Sequence, residues 1–84
     1  MKAEFTNKAL KDLGGLDKVT QKQILKKLHF YLNATNPLSY AKKLINRPDG
    51  NYRWRIGHFR VVFDIEDETI MLLRIQHRRE IYRE

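Results

Sequence analysis

From Tyr52 to Ile65 the chain alternates almost without a break. Tyr52, Trp54 and Ile56 are separated by Arg53 and Arg55, and after Gly57-His58 the apolar set resumes as Phe59, Val61, Phe63 and Ile65. A period of two sends successive side chains to opposite faces of a strand. This stretch therefore folds as two strands that turn at Gly57-His58, aromatic on one face and cationic on the other. Asp64, Glu66, Asp67 and Glu68 lead through Thr69 into a further turn, and Ile70 to Ile75 supplies a third strand. Carboxylates crowded at a hairpin tip are ordinarily solvated, so the acidic turn is read as no site. Trp54 is assigned to the core, and Arg74 to a pairing with these nearby carboxylates.

A sheet with one apolar face needs a cover, and the first half of the chain provides it. Residues 2–5 read as a short strand, with Thr6 as N-cap of a helix over 7–13. Gly14-Gly15 should end that helix, because glycine accepts the positive φ common just past a helix. Asp17 can cap a second helix running to about Ala34, whose apolar stripe is Ile24, Leu25, Leu28, Tyr31 and Leu32. Lys18, Lys22 and Lys26 stand four apart along another face, either a solubilising surface or a nonspecific electrostatic footprint for RNA. Asn36-Pro37 breaks the helix, 38–45 is read as another helical turn or two, and Arg47-Pro48-Asp49-Gly50 is a strong turn signal. The expected architecture is α+β in a single domain over 1–84: an N-terminal strand, two helices, an antiparallel sheet of three further strands, and a short C-terminal segment.

Composition narrows the function. The 84 residues carry a net charge of +7, which points to a polyanionic partner. All nine lysines lie between Lys2 and Lys43 and all eight arginines between Arg47 and Arg83, so specific anion contacts are sought in the second half, where the planar guanidinium fork suits phosphate. Without cysteine there is neither disulfide nor thiolate chemistry. His58 and His77 lack the His/Cys/Asp spacing of a metal site, and no metal or cofactor is expected. Gly14-Gly15 has no phosphate-loop context, and no nucleophile–base pattern suggests acyl transfer. No apolar run is long enough to span a membrane or to serve as a leader.

Arg53 and Arg55, two apart on a strand, leave the same face about 7 Å from each other. Arg60 can join them across the hairpin if register permits, and the end of the third strand adds His77-Arg78-Arg79, with Tyr82 beyond. Several guanidiniums, an imidazole and a phenol on one face are the groups needed to hold a scissile phosphate, stabilise a pentavalent transition state and stack a base. The plainer reading is a half-exposed sheet whose outward residues happen to be arginine.

The stretch from Asn51 to Ile65, followed by Leu72 to Arg83, resembles the RelE/ParE superfamily of toxins, whose members commonly show a Tyr-Arg-x-Arg-x-Gly-x-Tyr/Phe-Arg strand pair and a terminal His-Arg-x-x-x-Tyr segment. The resemblance implies a cytoplasmic toxin of a toxin–antitoxin pair, with a RelB-like antitoxin as partner, and with ribosome and messenger RNA as targets. RelE-like members cut the message without metal, using its ribose 2′-hydroxyl as nucleophile and leaving a 2′,3′-cyclic phosphate and a 5′-hydroxyl. Carried onto this chain, Arg53 and Arg55 hold the message and Arg60 stabilises the phosphorane. Arg78 binds phosphate or protonates the leaving group, and Tyr82 positions a base; Lys18, Lys22, Lys26 and Arg79 are added as RNA contacts on their charge rather than on the resemblance. Where the best-known member has a lysine proposed as general base, this chain has Arg53, which keeps its proton at neutral pH. His77 is then the first candidate to take the proton, with Glu80 and His58 as fallbacks. Two other activities stay open: a ParE-like inhibitor of DNA gyrase, and an inactive relative that still binds antitoxin.

Overall fold

The computed structural model describes residues 2–44 and 50–78. Two-residue connections dictate its sheet. Ile56 and Phe59 are Cα partners across Gly57-His58, and β3 (Tyr52–Ile56) and β4 (Phe59–Glu66) keep antiparallel register from there to Tyr52 and Phe63. Gly57 lies at φ +58, the left-handed region such hairpin turns require. Asp67-Glu68 forms the next connection, placing Glu66 opposite Thr69 and starting β5 (Thr69–His77); Asp67 takes φ 56, which Asp tolerates better than most residues. The acidic residues at this tip are exposed, while Asp64 turns back to accept a 2.7 Å hydrogen bond from the Asn51 N–H.

The second hairpin is not regular. Phe63 pairs with Leu72 but Val62 pairs with Arg74, so Leu73 is an extra residue, a bulge in β5. One extra residue reverses the alternation. Before it, Ile70 and Leu72 face inward; after it, Ile75 does, with Arg74 and Gln76 on the opposite face. Helix α1 (Asn7–Gly14) holds the bulge open. The Thr6 hydroxyl accepts from the Ala9 N–H as N-cap and donates to the Leu73 carbonyl at 3.0 Å. Asp12 accepts from the Ile75 N–H at 2.9 Å and from Arg74 Nε at 2.8 Å. Arg74 thus pairs with a carboxylate 62 residues distant, not with the acidic turn beside it.

β1 (Lys2–Phe5) adds to β5 in parallel, and β2 (Lys42–Lys43) adds to β3, giving a five-stranded order β1-β5-β4-β3-β2. Lys42 and Lys43 therefore form a short edge strand rather than the helix expected over 38–45; only Pro37–Tyr40 makes a 3-10 turn. Ala41 before them is extended at φ −96, ψ 155. The 47–50 turn lies outside the described residues except for Gly50.

Helix α2 (Lys18–Leu32), capped by Asp17 as expected, crosses the apolar face and inserts Ile24, Leu28 and Tyr31 against Trp54, Val61, Phe63, Ile70, Leu72 and Ile75. The rings of Phe63, Trp54 and Tyr31 stack in sequence at 4.1 and 5.1 Å, and Trp54 Nε1 donates to the Pro37 carbonyl. Burial holds the Tyr31 phenol above its ordinary pKa, with Tyr40 adding to the shift, so it remains a neutral donor to the Arg55 carbonyl. Two details differ from expectation. Leu25 points outward, because the buried stripe is only as wide as Ile24, Leu28 and Tyr31. Gly14 closes α1 and Gly15 sits at φ −80, so the helix ends without using the left-handed freedom of glycine. Among the described residues no helix is long and apolar enough to cross a membrane.

Candidate functional site

The face of the sheet turned away from α2 carries the cations. Register makes Arg55 and Arg60 direct Cα partners, and places Arg53 opposite Val62. Two like charges facing each other across a ladder cost stability, so this pair is not explained by sheet formation. Val62 beside them is fully buried although it lies on the cationic face. Gly50 covers it: a Cβ there would stand 2.4 Å from Val62 Cγ1 and 3.1 Å from Leu73 Cδ1. Gly50 thus seals the bulged part of this face, and among the described residues none covers the arginine end in the same way.

At that end Arg53, Arg55, Arg60 and Arg78 surround a hollow of about 110 Å3, completed by Gly57, His58 and Phe59. Arg60 is only 8% exposed, and its Nε donates to Gln76 Oε1 at 3.2 Å, directly across the β4–β5 ladder. A guanidinium held this way, largely out of water, meets an anion with little competing solvation. The Arg78 N–H donates to the His58 carbonyl at 2.7 Å, fastening the end of β5 to the turn. None of the described residues lining the hollow is acidic. Four guanidiniums around a space this size can hold a phosphodiester, and they can stabilise the extra charge of a pentavalent phosphorus centre.

The site residues expected from sequence separate into three groups. Arg53, Arg55, Arg60 and Arg78 come together. His77 does not line the hollow: it is the Cα partner of Phe59, with the rings edge-to-face at 4.9 Å, and it stands behind His58, the two imidazoles stacked at 6.2 Å. The bulge at Leu73 is the cause, since unbroken alternation from Leu72 would have put residue 77 on the arginine face. His58 is the imidazole that lines the hollow. Lys18, Lys22 and Lys26 are exposed on α2 and border no part of it. Arg79, Glu80 and Tyr82 lie outside the described residues. Gln76 and Gly50 were not singled out from the sequence. The first is hidden by the same reversal of parity at Leu73 that turns His77 away; the second is marked only as part of a turn, with no sign that it packs on Val62. Among the described residues no group of three or more His, Asp or Glu is placed to hold a metal.

Comparison with known proteins follows the same outline. A family model described as the ParE toxin of a type II toxin–antitoxin system, parDE, matches residues 3–82. Toxin RelG of Mycobacterium tuberculosis is 39% identical over 49 residues, 56% of this chain and 56% of that toxin. Toxin RelE3 of Methanocaldococcus jannaschii is 34% identical over 50 residues, 60% of this chain and 57% of that one. The matched stretches thus span little more than half of either toxin. Solved structures extend the likeness to nearly the whole fold. The toxin–antitoxin complex RelBE2 of M. tuberculosis matches with TM-score 0.73 at 28% identity, covering 90% of this chain and 95% of that one. The E. coli RelBE complex gives 0.67 at 25% identity, covering 90% and 94%.

Proposed function

The chain belongs to the ParE toxin family of type II toxin–antitoxin systems, and from that premise we propose that it arrests translation by cutting messenger RNA on the ribosome. The observation that carries this reading is the convergence of Arg53, Arg55, Arg60 and Arg78 on one hollow beside an imidazole. The chemistry balances with these groups and one water, whose hydroxide takes back the proton left on His58. The ribose 2′-oxygen bonds to the adjacent phosphorus and its proton passes to His58. The bond from phosphorus to the 5′-oxygen breaks, and that oxygen takes a proton from water, leaving a 2′,3′-cyclic phosphate and a 5′-hydroxyl. Arg60, the most buried of the four, stabilises the phosphorane, while Arg53, Arg55 and Arg78 hold the flanking backbone. His58 takes the role first considered for His77 because it lines the hollow; an imidazole nitrogen has a lone pair that can accept a proton, and a guanidinium has none. Lys18, Lys22 and Lys26 supply a diffuse attraction to ribosomal RNA. A RelB-like antitoxin is the proposed partner, since the solved relatives are toxin–antitoxin complexes; an acidic segment lying in the arginine hollow would neutralise it.

A second reading, inhibition of DNA gyrase, is favoured by the parDE family to which the matching model belongs. Programmed 70S ribosomes decide between them. Message cuts ending in a 2′,3′-cyclic phosphate, reduced by about 100-fold or more in Arg60→Ala, are expected. Intact message together with loss of supercoiling by gyrase would replace this reading with the second.

A further inference from the structure

The arginine hollow is not closed on all sides. Beside the Gly57-His58 turn lies a second, wider groove between the hairpin tip and α2, and Arg55, Gly57, His58 and Phe59 border both. We infer that this groove seats one nucleoside of the RNA strand whose phosphate lies in the hollow, an inference that rests on the nuclease reading above.

Size separates the two spaces. The hollow, about 110 Å3, suits a group as small as a phosphate, whereas the groove holds about 680 Å3, within the roughly 300–1,000 Å3 of sites that take small molecules. Chemistry orders the groove as a nucleoside requires. Ile56 and Phe59 form an apolar side against which a base can lie. Gln23 and Lys27, four apart on α2 and both exposed, form the opposite wall. Gln23 brings an amide that both donates and accepts at a base edge, and Lys27 a cation for the backbone. Lys27 Nζ lies 5.2 Å from the Phe30 ring centre and 5.5 Å from that of Tyr31, which limits its wandering. The groove is also bounded. Thr20, which also lines it, gives its hydroxyl to Asp17, whose carboxylate opposes a further phosphate. One nucleoside fits between the turn and that carboxylate, and the strand must leave toward solvent. The row Lys18, Lys22, Lys26 lies roughly a third of a turn around α2 and borders no part of the groove.

The test is binding of 2′-O-methyl nucleotides, which lack the nucleophile and keep the phosphate. Competition against a fluorescent oligomer compares dimethyl phosphate with the two nucleoside methyl phosphodiesters that carry their nucleoside on the 5′ or the 3′ side. A nucleoside on one side should tighten binding to the unsubstituted protein by about tenfold. Gln23→Ala, which leaves net charge unchanged, and Lys27→Met should each remove most of that gain while dimethyl phosphate binding stays within about twofold. A gain that survives both substitutions, or an equal weakening of all three ligands, would overturn the inference. Arg60→Ala serves as the separate control: it should weaken every ligand, and if it weakens none the nuclease reading itself fails, whatever the groove does.

Discussion

The two hairpins of this sheet are built from similar residues and follow different rules. β3–β4 alternates in unbroken register from its two-residue turn, so every side chain is on the face that its parity in the sequence assigns. β4–β5 begins the same way from Asp67-Glu68 but carries the extra Leu73, after which parity is reversed. The regular hairpin delivers Arg53, Arg55 and Arg60 to one face. The bulged one decides what joins them: Gln76 meets Arg60 and Arg78 reaches the turn, while His77 is turned against Phe59. A single inserted residue in one hairpin thus selects which nitrogen bases can approach a site laid down by the other.

Substitutions that act on the bulge should have the largest effects. Asp12→Ala removes the acceptor for both the Ile75 N–H and Arg74, and should cost about 2–3 kcal/mol in denaturant unfolding. The loss should appear in amide exchange at residues 73–76 before it appears in β3. Gly50→Ala presses a methyl into Val62, which is fully buried and stiff at Cβ. It should destabilise by about 1–3 kcal/mol, lowering the melting temperature by roughly 4–8 °C for each kcal/mol. In the regular hairpin the weak point is conformational rather than packed. Gly57→Ala meets no neighbour but is held at positive φ, and should cost about 1 kcal/mol. Smallest, and opposite in sign, is Arg55→Thr. Relieving the charge opposition with Arg60 should raise stability by a few tenths of a kcal/mol, while anion affinity falls. Equal destabilisation by Gly57→Ala and Asp12→Ala would remove the distinction between the hairpins.

The same distinction explains what the amino-acid order reveals. Tyr52 to Phe63 is legible because a strand pair with a two-residue turn is local and its period is unbroken; the convergence of Arg53, Arg55 and Arg60 follows from it. The helices are legible from Thr6, Asp17 and the Ile24–Leu28–Tyr31 stripe. The edge strand Lys42–Lys43 is not, since two lysines carry no period and their pairing with β3 is set by the sheet. The side taken by His77 is also hidden. It depends on contacts from Thr6 and Asp12 to β5, more than sixty residues away, that stabilise the bulge. Arg74 shows the same limit: its nearest carboxylates in sequence are not its partner in space.

The central claim is that Arg53, Arg55, Arg60 and Arg78, with His58 and not His77, receive a phosphodiester in one hollow. Titration of the isotope-labelled protein with a 2′-O-methyl dinucleotide, followed through arginine Nε–H and histidine ring resonances, tests it directly. Saturable shifts are expected at those four arginines and at His58, with Arg74 left in place and His77, stacked behind His58 at 6.2 Å, shifting less than it. Shifts spread evenly over Arg74, His77 and the lysines of α2, or no saturable shift at the four, would contradict the account.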